Sequence, residues 1–413
     1  MAGAVLILIA SFCILLYPTS APRTTPAFAG VAEDPPASES APQDEEDAEE
    51  VVIAPGGDDD LNLAYSVFDW VAPMPSPLLL PEETRLADCR QLTFGHSIPD
   101  PANGGVANYA EAYWAPGGKS LILQATRDDF ACDQAFQLDL LTGSLELVST
   151  GFGRVTCAFI CADNEHFIYS STHENGGPYC PESPDRSQGY VWPLYDSYDI
   201  YLAELATGEI VQNLTNSPGY DAEGTLDWNT GWLYFTSTRG GDLDIYRLNV
   251  GSPERVERLT DEPGYDGGPF VSYDGSTVVY RRSFLESEEE REDYERLLER
   301  DLIRPGKLEL MVMDSDGANK RQLTANGAAN FAPFLHPDNE TIIFCSNMHN
   351  PGGRDFDLYT MPLDGGEPER ITFHPDFDGF PMFSPDGRYL VWCSNRNNSE
   401  PYETNLFIAK WVP

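Results

Sequence analysis

The chain has 413 residues, 41% hydrophobic and 12% aromatic, enough for an extensive packed core and too many for one small domain. Lys and Arg number 25 against 67 Asp and Glu, a formal net charge of −42. A surface this negative repels phosphate backbones, which argues against nucleic acid and leaves cations, basic partners or a saline exterior.

The opening residues, MAGAVLILIASFCILLYP, form an apolar run of signal-peptide length, short of the roughly 20 residues a membrane-spanning helix needs. Small residues at Thr19–Ala21 and Ala27–Ala29 offer cleavage sites, so residues 1–29 read as a signal peptide. No basic residue precedes the run, which keeps an uncleaved membrane anchor as the alternative. Residues 30–60 read as an acidic disordered linker, because Val31 to Asp60 hold 12 acidic residues and no basic one. Such a segment cannot bury enough apolar surface to offset its chain entropy. Residues 61–87 then lead into the folded part of the chain, crossing its outside or one of its faces.

From Asp88 the sequence repeats itself. Similar triplets end at Thr93, Thr150, Thr215, Thr260, Thr324 and Thr372, the closest pair 45 residues apart. After each come an apolar strand, a turn such as SPDG (Ser384 to Gly387), a second strand such as YLVWCSN, and a third such as DIYRLNV. Pro presets the first corner of the turn and Asp-Gly supplies its left-handed residue. Alternating apolar and polar residues fit sheets packed on sheets, and four strands per period of this length make a propeller blade. The fold class is all-β: a six-bladed β-propeller of four-stranded antiparallel blades. The last repeat lacks a fourth strand before Pro413, and DCRQLTF at Asp88 to Phe94 is a spare one. The N-terminal strand should therefore complete the last blade and remove its open edge.

These repeats resemble the TolB-type propeller, with its LT…YD..P.FSPDG..I.F.S.R…DIY signature, over Asp88 to Pro413. The resemblance implies an exported bacterial envelope protein. TolB itself has an N-terminal α/β domain where this sequence has the acidic tract.

Recurring residues belong to the scaffold: Asp199, Asp244 and Asp357 of the DIY triplets, and Arg127, Arg239 and Arg396 after the second strand, with His173 in that place in the second blade. The first strands should line the central channel, led by Tyr109, Val155, Asp221, Asp266, Asn330 and Asp378. Two residues on, on the same side of a period-two strand, come Glu111, Cys157, Glu223, Gly268, Ala332 and Phe380. Asp221, Asp266 and Asp378, with Glu111 and Glu223, would then converge near one mouth. Converging carboxylates suit Ca²⁺, for which the three Asp are the candidate ligands; the alternative is that each Asp caps its own loop.

Two insertions depart from the repeat. Residues 174–197 are rich in aromatics, Pro and Gly, and include Tyr190 and Trp192; residues 285–307 read as an acidic surface helix ended by Pro305. Both lie between second and third strands, on the face of the acidic mouth, in the blades flanking the third. Loops on a rigid scaffold usually carry function, so this face, with His173, Arg239, Tyr190 and Trp192, is the candidate binding surface.

With Cys13 in the leader, seven cysteines remain. A disulfide among Cys132, Cys157 and Cys180 fits, its pairing open, whereas Cys345 and Cys393 read as buried apolar filler. Enzyme signatures are missing: there is no GxSxG elbow, no HExxH and no phosphate-binding glycine loop. The sequence therefore points to a non-catalytic, monomeric envelope scaffold that binds a protein or glycan and needs no cofactor beyond a possible Ca²⁺. The alternative is a secreted polysaccharide lyase or hydrolase using channel carboxylates with a divalent cation.

Overall fold

A computed structural model describes residues 78–95, 107–127, 130–185, 187 and 189–413. The expected leader, the acidic linker and most of the lead-in lie outside the described residues. Six four-stranded antiparallel sheets form the six blades. Blade three is typical, with strands Asp221–Leu226, Trp232–Ser237, Asp244–Asn249 and Ser252–Arg258 in spatial order.

The repeated triplets work as internal clamps. Each third strand opens with Gln134, Asp199, Asp244, Glu309, Asp357 or Asn405. Their side chains accept hydrogen bonds from the hydroxyls of Ser149, Thr215, Thr260, Thr324, Thr372 and Thr93 at 2.9, 3.0, 3.3, 2.6, 3.3 and 3.1 Å. The same hydroxyls accept the next backbone N–H, from Ala135, Ile200, Ile245, Leu310, Leu358 and Leu406, at 2.9–3.0 Å. In blade one the clamp is Ser149, one residue before the expected Thr150.

The ring closes as the strand arithmetic requires. Leu86–Gln91 pairs antiparallel with Asn405–Trp411, completing the sheet begun by Asp378–Phe383 and Tyr389–Ser394. Thr93 clamps Asn405 across 312 residues of sequence. A second set of bonds stitches neighbouring blades. The N–H groups of Tyr109, Val155, Asp221, Asp266, Asn330 and Asp378 donate to the carbonyls of Thr404, Asp133, Tyr198, Leu243, Leu308 and Phe356 at 2.8–3.1 Å. The seam, Thr404 to Tyr109, is bonded like every other joint.

The end of the lead-in is a wedge beside the last blade. Glu83, 2% exposed, accepts two hydrogen bonds from Arg396 at 3.0 and 3.2 Å and one from the Phe373 N–H at 3.0 Å. Arg396 also holds Asp378 at 2.9 Å, so one buried guanidinium bridges two buried carboxylates. Such a group is stable only with both partners present.

Candidate functional site: the channel and its cap

Every inner strand carries a register shift at the same place, between Ala222 and Thr225 in blade three and at the matching positions of the other five. The residue two after the leading one is left-handed in all six blades: Glu111, Cys157, Glu223, Gly268, Ala332 and Phe380, with φ between 49° and 60°. Five of the six are not glycine, so the backbone is strained there. Recurrence in every blade makes this bulge a property of the fold rather than of one site.

The bulge corrects the expectation for the channel. It breaks the period of two, so leading and following residues part company. The six bulged residues line a central cavity of about 50 Å³, together with Tyr113, Phe270, Arg281, Phe334 and Met382. Asp221, Asp266 and Asp378 do not line it; each is at most 1% exposed and set against an arginine of its own blade. Asp221 meets Arg239 at 2.9 Å, and burial, partly offset by that arginine, pushes its pKa up to about 6. Asp378 takes Arg396 at 2.9 Å and the Trp392 indole N–H at 3.1 Å. Asp266 lies 3.7 Å from Arg282 and, among the described residues, has no hydrogen bond to either carboxylate oxygen. The three Asp expected to share a cation are thus not brought together. The sequence held a signal for the bulge: Pro269, Pro333 and Pro381 follow it, and proline inside a strand belongs at an edge or a bulge.

Glu111 and Glu223 do reach the cavity. Glu223 forms a buried ion pair with Arg281 and accepts from Thr236 Oγ1 at 2.7 Å, the Gly268 N–H at 2.9 Å and the Tyr265 hydroxyl at 3.1 Å. Glycine at 268 makes this possible, because a Cβ there would stand 2.8 Å from the Arg281 guanidinium carbon. Cys157 donates to Glu111 Oε2 at 3.2 Å, and burial pushes its thiol well above the ordinary range, which disfavours the thiolate. Blades one to four thus give the cavity its polar side, and Ala332, Phe334, Phe380 and Met382 give it an apolar one. The volume holds a few waters and no sugar ring.

Above this cavity the insertions do more than flank blade three. Trp192–Pro193 of the first pairs antiparallel with Leu302–Ile303 of the second. Val191, Leu297 and Leu302 form a small core between them, and the Leu194 N–H donates to the Asp301 carbonyl at 2.7 Å. The helix is shorter than expected: Glu288–Leu298 starts at a Ser287–Glu290 capping box and stops before the paired strand, well short of Pro305. The expected disulfide is Cys132–Cys180, Cα atoms 5.9 Å apart, which ties the first insertion to blade one. One cap therefore joins blades one, two and four.

Its inner anchor is Trp192, 3% exposed, whose ring lies 5.4 Å from the Arg281 guanidinium and whose N–H donates to the Tyr190 hydroxyl at 3.1 Å. Tyr179, 80% exposed, faces outward, while the half-buried Tyr190 packs on the core and shows only part of its ring. His173 packs against the Tyr201 ring at 4.5 Å, and burial lowers its pKa. Arg239 lies over Phe235 and Tyr246 while holding Asp221. Both residues brace their blades, as their recurrence implied.

Against solved structures, the chain is similar to a putative TolB from Agrobacterium tumefaciens at 19% identity and a TM-score of 0.50, covering 74% of this chain and 91% of that one. The fold is that of a TolB-like propeller. TolB from Acinetobacter baumannii matches at 18% identity and a TM-score of 0.45, over 76% and 65% of the two chains. An oligogalacturonate lyase in complex with manganese matches at 14% and 0.44, over 78% and 93%. No family model matches, and no curated protein sequence does. Among the described residues of this TolB-like propeller, no helix is long and apolar enough to cross a membrane.

Proposed function

We propose that the protein is an exported, non-catalytic TolB-like scaffold that binds a partner protein or a glycan of the cell envelope through its capped face. The observation that carries this reading is the cap itself. Two insertions remote in sequence fold together over the channel mouth and are fixed at both ends, by the disulfide to blade one and by Trp192 against Arg281. A surface held this rigidly loses little entropy on binding. Its exposed Tyr179 and half-buried Tyr190 are the aromatic type that dominates binding surfaces.

The test compares the full chain with Tyr179→Ser/Tyr190→Ser in capture from the native envelope and in binding to a glycan array. A partner or glycan retained by the first and lost by the second, at equal melting temperature, supports the reading. Equal retention contradicts it.

A second reading, a lyase or hydrolase working through channel carboxylates, rests on Glu111 and Glu223 lining one cavity. Two features weigh against it: Glu223 is neutralised by Arg281, and the cavity admits no sugar ring. Polysaccharide cleavage abolished by Glu111→Gln would favour it.

A further inference from the structure

We propose that the capped face takes its partner at an uncharged aromatic corner on blade one, and that this partner is a protein segment presenting apolar side chains beside Lys or Arg. The inference rests on the reading of the capped face as the binding surface and narrows it from protein or glycan to protein. Three stretches build the corner: Phe130 between Ser120–Thr126 and Gln134–Asp139, Leu147 and Phe152 at the end of the blade, and Pro178 with Tyr179 in the first insertion. Phe152 is 55% exposed, Leu147 40% and Tyr179 80%. These pieces adjoin. A Cβ on Gly151 would stand 3.3 Å from the Phe130 ring and 3.9 Å from Leu147, and the Gly153 N–H donates to the Pro178 carbonyl at 3.3 Å. The backbone under them is fixed. Gly151 and Gly153 are left-handed, at φ 78° and 64°, and between them the Phe152 N–H donates to Thr150 Oγ1 at 3.2 Å. The Cys132–Cys180 disulfide joins the stretch of Phe130 to that of Tyr179.

Charge and polarity say what covers the corner. Residues 130–132, 147–153 and 177–180 carry no charged side chain, although residues 130–185 hold eight acidic residues against one arginine and no lysine. That arginine, Arg154, is paired with the buried Asp133 at 2.7 Å. The corner is thus an apolar island in a negative field. Such a field draws in a partner with Lys or Arg around its apolar contact, and it repels a second copy of this chain, whose net charge is −42. A glycan fits poorly, because its hydroxyls need hydrogen-bond partners when buried. The Ser149 and Thr150 hydroxyls are already bonded inside the blade, which leaves the Tyr179 hydroxyl. Exposed aromatic rings on a fixed backbone are instead the usual anchors of protein contacts.

The experiment pans a displayed library of random linear peptides on the full chain and measures the affinity of those retained. The expected result is peptides that combine aliphatic or aromatic residues with Lys or Arg and bind more weakly as salt is raised. Phe152→Ser should weaken them by about 30-fold, the effect of truncating one hot-spot aromatic. Tyr402→Ser removes an exposed ring from a second-to-third-strand connection of blade six, outside the corner, and should bind as the parent does. Melting curves establish that each variant is folded; should Phe152→Ser not be, Leu147→Ser on the outer strand carries the comparison. No retained peptide, retained peptides that are acidic, or equal affinity in parent and Phe152→Ser overturns the proposal. A glycan that Tyr179→Ser/Tyr190→Ser loses and Phe152→Ser keeps would overturn it too, while leaving the capped face as the binding surface.

Discussion

Asp266 is fully buried, and neither of its carboxylate oxygens is hydrogen-bonded among the described residues. Its arginine is shared: Arg282 stands 3.7 Å from Asp266 and 2.9 Å from Glu262. Burial outweighs that distant cation, and the nearby Glu262 and Asp244 add repulsion, so the pKa rises from 3.8 to about 8. The folded protein therefore keeps a proton that the unfolded chain releases. Stability from this group is complete below the unfolded pKa of about 3.9 and is lost progressively as pH rises towards 8. A shift of four units corresponds to at most about 5 kcal/mol, and relaxation around a buried group brings the expectation to about 2–4 kcal/mol. Asp266→Asn removes the titration while keeping the shape. Urea unfolding at pH 4 should give parent and variant the same stability within about 1 kcal/mol, whereas at pH 8.5 the variant should be about 2–4 kcal/mol more stable. Asp221, raised to about 6 chiefly by burial, tilts both proteins alike and cancels in the difference. A variant that is less stable at pH 8.5, or a difference that does not change with pH, would refute the reasoning and show Asp266 ionised and well solvated.

Other expectations rest on the same contacts. Deleting the chain through Phe94 removes the outer strand of the last blade together with Glu83 and should leave little soluble protein, whereas deletion through Asp60 should not change the melting temperature. Glu83→Gln alone should cost about 1–3 kcal/mol in urea unfolding, because Arg396 keeps Asp378 but loses a buried charge. Gly268→Ala should cost about 2 kcal/mol or more, since its Cβ would meet the Arg281 guanidinium at 2.8 Å and disturb the ion pair with Glu223. Cys345 and Cys393, both fully buried with burial raising their thiol pKa values, should resist thiol reagents until denaturant is added. Rapid labelling of both in the native protein would contradict their mid-strand placement.

What is legible in the sequence is whatever repeats. The Thr clamps and the SPDG-type turns recur because six blades need the same bonds, and a missing strand at one end with a spare at the other dictates how the ring closes. The insertions are visible as interruptions. What is not legible is whatever depends on two distant segments meeting. The pairing of Trp192–Pro193 with Leu302–Ile303 involves two residues on each side, too short for any pattern. Glu83 is a lone acidic residue in the lead-in, and only the buried Arg396 gives it meaning. The channel assignment fails for a local reason: strict alternation does not hold across a bulge, which Pro269, Pro333 and Pro381 already mark.

The most direct test of the capped face as the working surface is site-specific photo-crosslinking in the native envelope. A photoreactive residue is placed at Tyr179 or Tyr190 on the cap, or at Asp338 in a first-to-second-strand turn on the opposite face. The two cap positions should each trap the same partner or glycan-bearing species, and Asp338 should trap none. Crosslinks from Asp338 with none from the cap would place the binding surface on the other side of the ring and contradict the account.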